Sequence, residues 1–129
     1  MDLGIRGKWA ILAGSSKGLG RACAESIARE GVNVVINGRN QVDVDVAVAE
    51  LASRYGVEAI GVVGDSATSS VQDELMATCP APDILLLNGQ GPSPKSFLDI
   101  EVNDWNSAVL QALTGPLGLV QRVVPGMRE

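Results

Sequence analysis

Residues 13–20 read Ala13-Gly14-Ser15-Ser16-Lys17-Gly18-Leu19-Gly20, between the apolar run Trp9-Ala10-Ile11-Leu12 and a stretch with helical periodicity. A glycine-rich turn joining a strand to a helix points backbone N–H groups and the positive end of the helix dipole at an anion, typically a phosphate. The spacing is Gly-x-x-x-Gly-x-Gly. Gly14 is expected to make the tight turn after the strand, Gly18 to let a phosphate reach a backbone without a Cβ, and Gly20 to allow close packing of helix on strand. A P-loop is excluded, because Lys17 precedes its glycine and no Ser or Thr follows in the required place.

Outward from this turn, apolar runs begin near Lys8, Asn33, Glu58 and Asp83, each about 25 residues after the last. The segments between them carry helical periodicity, which is the pattern of βαβ units and a parallel sheet. In the first helix Leu19, Ala22, Cys23, Ser26 and Ile27 fall on one face, with Gly31 as C-cap. The second helix, Gln41 to Tyr55, places Val44, Ala47, Val48 and Leu51 at helical spacing, and the third runs from about Val71 to Cys79, ending before Pro80. Pro92-Ser93-Pro94-Lys95 cannot be central strand or uninterrupted helix. Beyond it, Asn103 or Asp104 is the expected N-cap of a long amphipathic helix. Its stripe is Trp105, Ala108, Val109, Ala112, Leu113, Leu117, Val120 and Val124, and a bend is expected at Gly115-Pro116.

The glycine turn resembles that of the short-chain dehydrogenase/reductase family, Thr-Gly-x-x-x-Gly-x-Gly, with Ala13 standing where the family has Thr. The resemblance implies an α/β fold, a Rossmann-like doubly wound parallel sheet with strands in the order 3-2-1-4, helices on both faces and a nucleotide crevice at the carboxyl ends of the strands. Residues 1–129 are then expected to form one incomplete dinucleotide-binding domain with strands 1 to 4. Gly14, Ser16, Lys17, Gly18, Leu19 and Gly20 are its phosphate-turn candidates.

A site that prefers NAD would place Asp or Glu just after the second strand, Val32 to Ile36, to hold the ribose 2′-hydroxyl. This chain has Asn37-Gly38-Arg39-Asn40. Arg39, with Asn40 beside it and Lys17 in the turn, would meet a 2′-phosphate with positive charge, as the resemblance to NADP-dependent members implies. Asp65, followed by Ser66 after the third apolar run, occupies the place where the family bonds the adenine amino group; the residues alone also allow a loop or a helix cap. At the end of the fourth strand, Asn88 matches the second Asn of the family's Asn-Asn-Ala-Gly, while Leu87, Gly89 and Gln90 depart from it. Asn88 is expected to stabilise the strand or wall the cofactor, and Gly89 to line the ribose with its backbone. The implied cofactor is NADP.

The family's chemistry uses a Tyr with a Lys four residues on, a Ser and a relay Asn. The one tyrosine here is Tyr55, followed four residues later by Ala59, and Ala112-Leu113-Thr114-Gly115 stands where relatives have Asn-Leu-Thr-Gly. No catalytic residue is therefore assigned. With no histidine, Ser-His and Cys-His nucleophiles and His-ligated metals are excluded. The expected function is the NADP(H)-binding portion of a reductase resembling 3-oxoacyl reductases, moving hydride between nicotinamide and a carbonyl or alcohol substrate. Its Ser, Tyr and Lys are expected beyond Glu129. The alternative is a noncatalytic NADP(H)-binding sensor or one subunit of a split enzyme.

A net charge of −5 argues against a nucleic-acid partner, and apolar residues reach 46% without a run near the roughly 18 that span a bilayer. Cys23 and Cys79 are far apart and without Cys or His neighbours, so each is expected to be a small buried apolar residue in a reducing cytoplasm. An early Asp2 and a strand by Lys8 do not suit a signal peptide. A homo-oligomer is expected, through the long helix or the exposed edge of the fourth strand, with cofactor affinity weakened at the nicotinamide end.

Overall fold

Each of the four apolar runs becomes a parallel strand in a computed structural model of the chain, which describes residues 1–89 and 91–129. The strands are β1 (Trp9–Ala13), β2 (Asn33–Gly38), β3 (Ala59–Val63) and β4 (Ile84–Leu87), in the order β3-β2-β1-β4. Ala10 stands opposite both Val34 and Ile84, and Val34 opposite Ala59. Asp83 locks β4 beside β1, its carboxylate accepting from the Trp9 N–H at 3.0 Å and its own N–H donating to the Trp9 carbonyl at 2.9 Å.

Side chains alternate across a strand, so each strand feeds two cores. Ala10, Leu12, Val34 and Ile36 pack on one face with Ala24 and Ala28 of α1 (Gly18–Arg29) and Val44, Ala47 and Leu51 of α2 (Gln41–Tyr55). Ile11, Ala13, Val35 and Val62 pack on the other with Leu75 of α3 (Ser69–Thr78) and Leu119 and Val123 of α5 (Gly115–Met127). The result is the α/β three-layer arrangement expected of the resemblance.

The buried faces of two helices differ from those expected. In α1, Leu19, Ala22, Cys23 and Ser26 are exposed and Ile27 half-buried, while Gly20, Ala24 and Ala28 face the sheet. The smallest side chains lie inward because they let the helix backbone come close to β1. Cys23 is thus exposed, contrary to expectation, and only Cys79 of the two cysteines is buried. Burial pushes the Cys79 thiol above its ordinary range.

The long C-terminal helix begins earlier than expected. Glu101 is the N-cap of α4 (Val102–Val109), and its backbone N–H donates to the Asp104 carboxylate at 2.9 Å. Lys95 also donates to Asp104, at 2.8 Å, and these two bonds, Lys95 first, hold the Asp104 carboxyl below the usual carboxylate range. Residues Leu110–Thr114 form a π-helical turn, and α5 then opens with Pro116 at its start. The bend expected at Gly115-Pro116 takes this form because the widened turn accommodates a proline ring that the regular ladder would clash with. The inward stripe is Gly115, Leu119 and Val123, whereas Trp105, Val109, Leu113, Leu117 and Val124 are exposed. A Cβ on Gly115 would lie 2.6 Å from the Ala67 Cβ, so here too a small residue marks the closest approach. Among the described residues no helix is long and apolar enough to cross a membrane.

Candidate functional site

The carboxyl ends of β1, β2, β3 and β4 open into one cleft of about 500 Å³, within the range of small-molecule sites. Of the residues singled out in the sequence, Gly14, Ser16, Lys17, Gly18, Leu19, Arg39, Asn40, Asp65, Ser66, Asn88 and Gly89 line it. Gly20 does not. It lies buried beneath the turn, where a Cβ would overlap the Gly14 carbonyl. Gln90 lies outside the described residues.

The turn after β1 is built by backbone contact. Gly14 has φ +64°, and a Cβ there would overlap the carbonyl oxygen of Asn88. Asn88 answers with its side chain, donating to the Gly14 carbonyl at 2.9 Å and so tying the β4 turn to the β1 turn. At Gly18, φ is +63° and a Cβ would meet no atom within 4 Å, so its free side faces open space. The helix that starts here has no side-chain cap and no acidic residue in its first turn. Its leading N–H groups have no partner within the helix and carry the positive end of the dipole. They meet the cleft at Gly18 and Leu19.

Asn37 organises the rest. It is 2% exposed, and its carboxamide oxygen accepts from the Gly14 N–H while its amide nitrogen donates to the carbonyls of Val62 and Gly64, each at 3.1 Å. Buried Ser15 adds to the same knot: its hydroxyl donates to the Leu12 carbonyl at 2.6 Å and accepts from the Asn37 N–H at 3.1 Å. The turns after β1, β2 and β3 are therefore one bonded unit. Sequence reading noted Asn37 only for not being a carboxylate; its β-branched neighbours, which bury β2, are the signal that its amide needs partners.

Arg39 lies on the cleft wall just after β2 with its guanidinium 3.6 Å from the Asp65 carboxylate. One Asp65 oxygen accepts from the Ala67 N–H at 3.0 Å, forming a turn, and the other accepts from the Gln111 amide at 2.7 Å. Gln111 also accepts from Arg39 at 3.1 Å. Asn40 caps α2, accepting from the Asp43 N–H at 3.0 Å, and the Ser66 carbonyl accepts from Gln72 at 2.9 Å. Asn37, Gly38 and Gly64 also line the cleft, as do Asp43 and Gln111, which sequence reasoning does not single out. Gln111 comes from the π-helical turn, 46 residues beyond Asp65, and its reach into the cleft has no local signal.

Tyr55 stands apart from this cleft. Its hydroxyl donates to Glu25 at 2.6 Å, and Arg54 pairs with the same oxygen at 2.8 Å, joining α2 to α1.

The family model described as short chain dehydrogenase matches residues 8–129. The chain is 30% identical over 125 residues to the 3-oxoacyl-(acyl-carrier-protein) reductase FabG of Aquifex aeolicus (strain VF5), covering 94% of this chain and 50% of that protein. It is 37% identical over 112 residues to the uncharacterized oxidoreductase YvrD of Bacillus subtilis (strain 168), covering 82% and 41%. The crystal structure of L-sorbose reductase from Gluconobacter frateurii, complexed with NADPH and L-sorbose, superposes with a TM-score of 0.92 at 32% identity, covering 99% of this chain and 50% of that one. The chain thus spans about half the length of relatives it matches.

Proposed function

The chain belongs to the short-chain dehydrogenase family, and from that premise we propose that its cleft binds NADP(H) in preference to NAD(H). The carrying observation is the lining itself: Arg39 stands after β2 where an NAD-preferring site has a carboxylate, and Lys17 stands at the mouth of the glycine turn on the same cleft. The residues fit the group. Gly18 leaves open space before the α1 N-terminus for a pyrophosphate, which the uncapped N–H groups suit. Arg39 and Lys17 would take the 2′-phosphate, with Asn40 and Ser16 beside them. Asp65 would accept from the adenine amino group, with Ser66 adjoining, and Asn88 and Gly89 would wall the ribose nearer the nicotinamide. The NADPH bound in L-sorbose reductase supports this reading.

Bound there, the cofactor supplies hydride to a carbonyl or takes it from an alcohol. The protein's activity is proposed on that basis as an oxidoreductase of the 3-oxoacyl or keto-sugar reductase type, with this region as its cofactor-binding part. Ala112, in the π-helical turn where the resemblance implies a relay Asn, favours a second reading, cofactor binding without turnover. Titration calorimetry of the 129-residue chain with NADPH and NADH tests the binding proposal. NADPH is expected to bind at least about tenfold tighter, in keeping with charge-assisted bonds to one extra phosphate. Equal affinities, or a preference for NADH, overturn it.

A further inference from the structure

Gln111 crosses the cleft. A Cβ placed on Gly89, after β4, would lie 3.5 Å from the Gln111 carbonyl oxygen, yet the Gln111 side chain bonds Asp65 after β3 and Arg39 after β2. β4 and β3 are the two edges of the sheet, about 14 Å apart at ordinary strand spacing. One residue therefore has its backbone beside the turn after β4 and its side chain bonded to residues after β2 and β3.

The chemistry of the two bonds is specific. A primary carboxamide offers a donor and an acceptor in one plane. The donor goes to Asp65 Oδ2 at 2.7 Å and the acceptor takes a proton from Arg39 Nη2 at 3.1 Å. Those are the contacts assigned above to the adenine amino group and the 2′-phosphate. The amide N–H₂ stands in for the first and the amide oxygen for the second.

We propose that Gln111 is an internal competitor for the adenosine end of the cofactor: it occupies Arg39 and Asp65 until the 2′-phosphorylated adenosine displaces it, and so sets cofactor affinity and selectivity. The proposal rests on the NADP(H) reading. Both bonds involve a charged partner, so releasing them costs binding free energy that a residue unable to make them would not cost. Gln111 is half-buried on the cleft wall and its side-chain bonds go to Arg39 and Asp65, so urea denaturation of each variant accompanies the titrations and reads any loss of stability apart from binding.

The test is calorimetric titration of the wild-type chain, Gln111→Ala and Gln111→Glu with adenosine 2′,5′-bisphosphate, and with adenosine 5′-monophosphate as the probe lacking a 2′-phosphate. Gln111→Ala is expected to bind the bisphosphate about five- to tenfold tighter than wild type, the worth of roughly one hydrogen bond, and to gain less for the monophosphate. Gln111→Glu, whose carboxylate holds Arg39 by charge, is expected to bind the bisphosphate more weakly than wild type. Unchanged or weakened bisphosphate affinity in Gln111→Ala, with wild type still preferring the bisphosphate, overturns this inference and leaves the NADP(H) reading standing. No preference for the bisphosphate in any of the three chains overturns both.

Discussion

The side-chain amide of Asn37 donates to the carbonyl of Gly64 at 3.1 Å, tying the end of β2 to the turn after β3. The same carboxamide holds Gly14 and Val62, so one buried side chain secures three turns of the cleft. Gly14 in turn is held by Asn88 from the β4 side. The cleft is held by bonded turns where a pyrophosphate is proposed and is side-chain-built where the adenosine is proposed.

Removing that knot should be costly. Asn37→Ala is expected to lose about 2–3 kcal/mol of stability in urea denaturation, because the N–H of Gly14 and two carbonyls are left with fewer partners at a partly buried position. Asn37→Asp keeps the acceptor for Gly14 but sets a carboxylate oxygen against the Val62 and Gly64 carbonyls. Its loss should be larger at neutral pH and shrink as pH falls and the acid takes up a proton.

At the adenosine end, Arg39→Ala is expected to weaken NADPH binding about 10- to 100-fold, the scale of lost charge-assisted bonds, while NADH affinity stays within a few-fold. Calorimetry or fluorescence titration with both cofactors checks the ratio. A parallel loss for both would place Arg39 in support of the cleft and remove it from the phosphate.

Two glycines of one turn should respond differently. A methyl on Gly14 overlaps the Asn88 backbone oxygen at a positive φ, so Gly14→Ala is expected to cost at least about 3 kcal/mol. A methyl on Gly18 meets no atom, so Gly18→Ala should cost only about 1–2 kcal/mol of left-handed strain while abolishing measurable NADPH binding. Denaturation curves and cofactor titration on the two variants separate the roles.

Glu25 is held below its ordinary value of 4.5, first by the Tyr55 hydroxyl and then by Arg54, Arg21 and Arg29. A carboxyl depressed by folding contributes stability that is fully present above its unfolded value and is lost as pH falls through its folded one. Tyr55→Phe is therefore expected to be less stable than wild type at pH 7, with the difference closing as pH drops below the ordinary glutamate range. Urea denaturation across that acid window reads the convergence.

The two thiols should label at different rates. Cys23 is exposed on α1, whereas Cys79 is 5% exposed with its thiol held protonated by burial. A disulfide reagent at pH 8 is expected to modify one thiol per chain quickly and the second only after denaturant is added. The Cys23→Ser variant should lose the fast phase.

Much of this architecture was written locally. Runs such as Val34-Val35-Ile36 alternate between two faces, Gln41–Tyr55 repeats at helical spacing between an Asn cap and Gly56, Gly14 and Gly20 hold backbone positions that side chains would block, and Gly18 adopts a positive φ in open space. These features act over a few residues, so strand, helix and turn could be placed from them, and with the resemblance so could the strand order and part of the cleft lining, though not Asp43 or Gln111.

Contacts between distant segments decided the rest. Apolar residues surround α1 and the C-terminal helix, so periodicity pointed to Leu19 and Leu117, while close packing against strand and neighbouring helix selected the sides marked by Gly20 and Gly115. Asn37 found its partners 23 to 27 residues away, and Gln111 reached Arg39 across 72. A local pattern reports which conformations a segment favours; which face is buried, and which polar group meets which, depends on the shape of what packs against it.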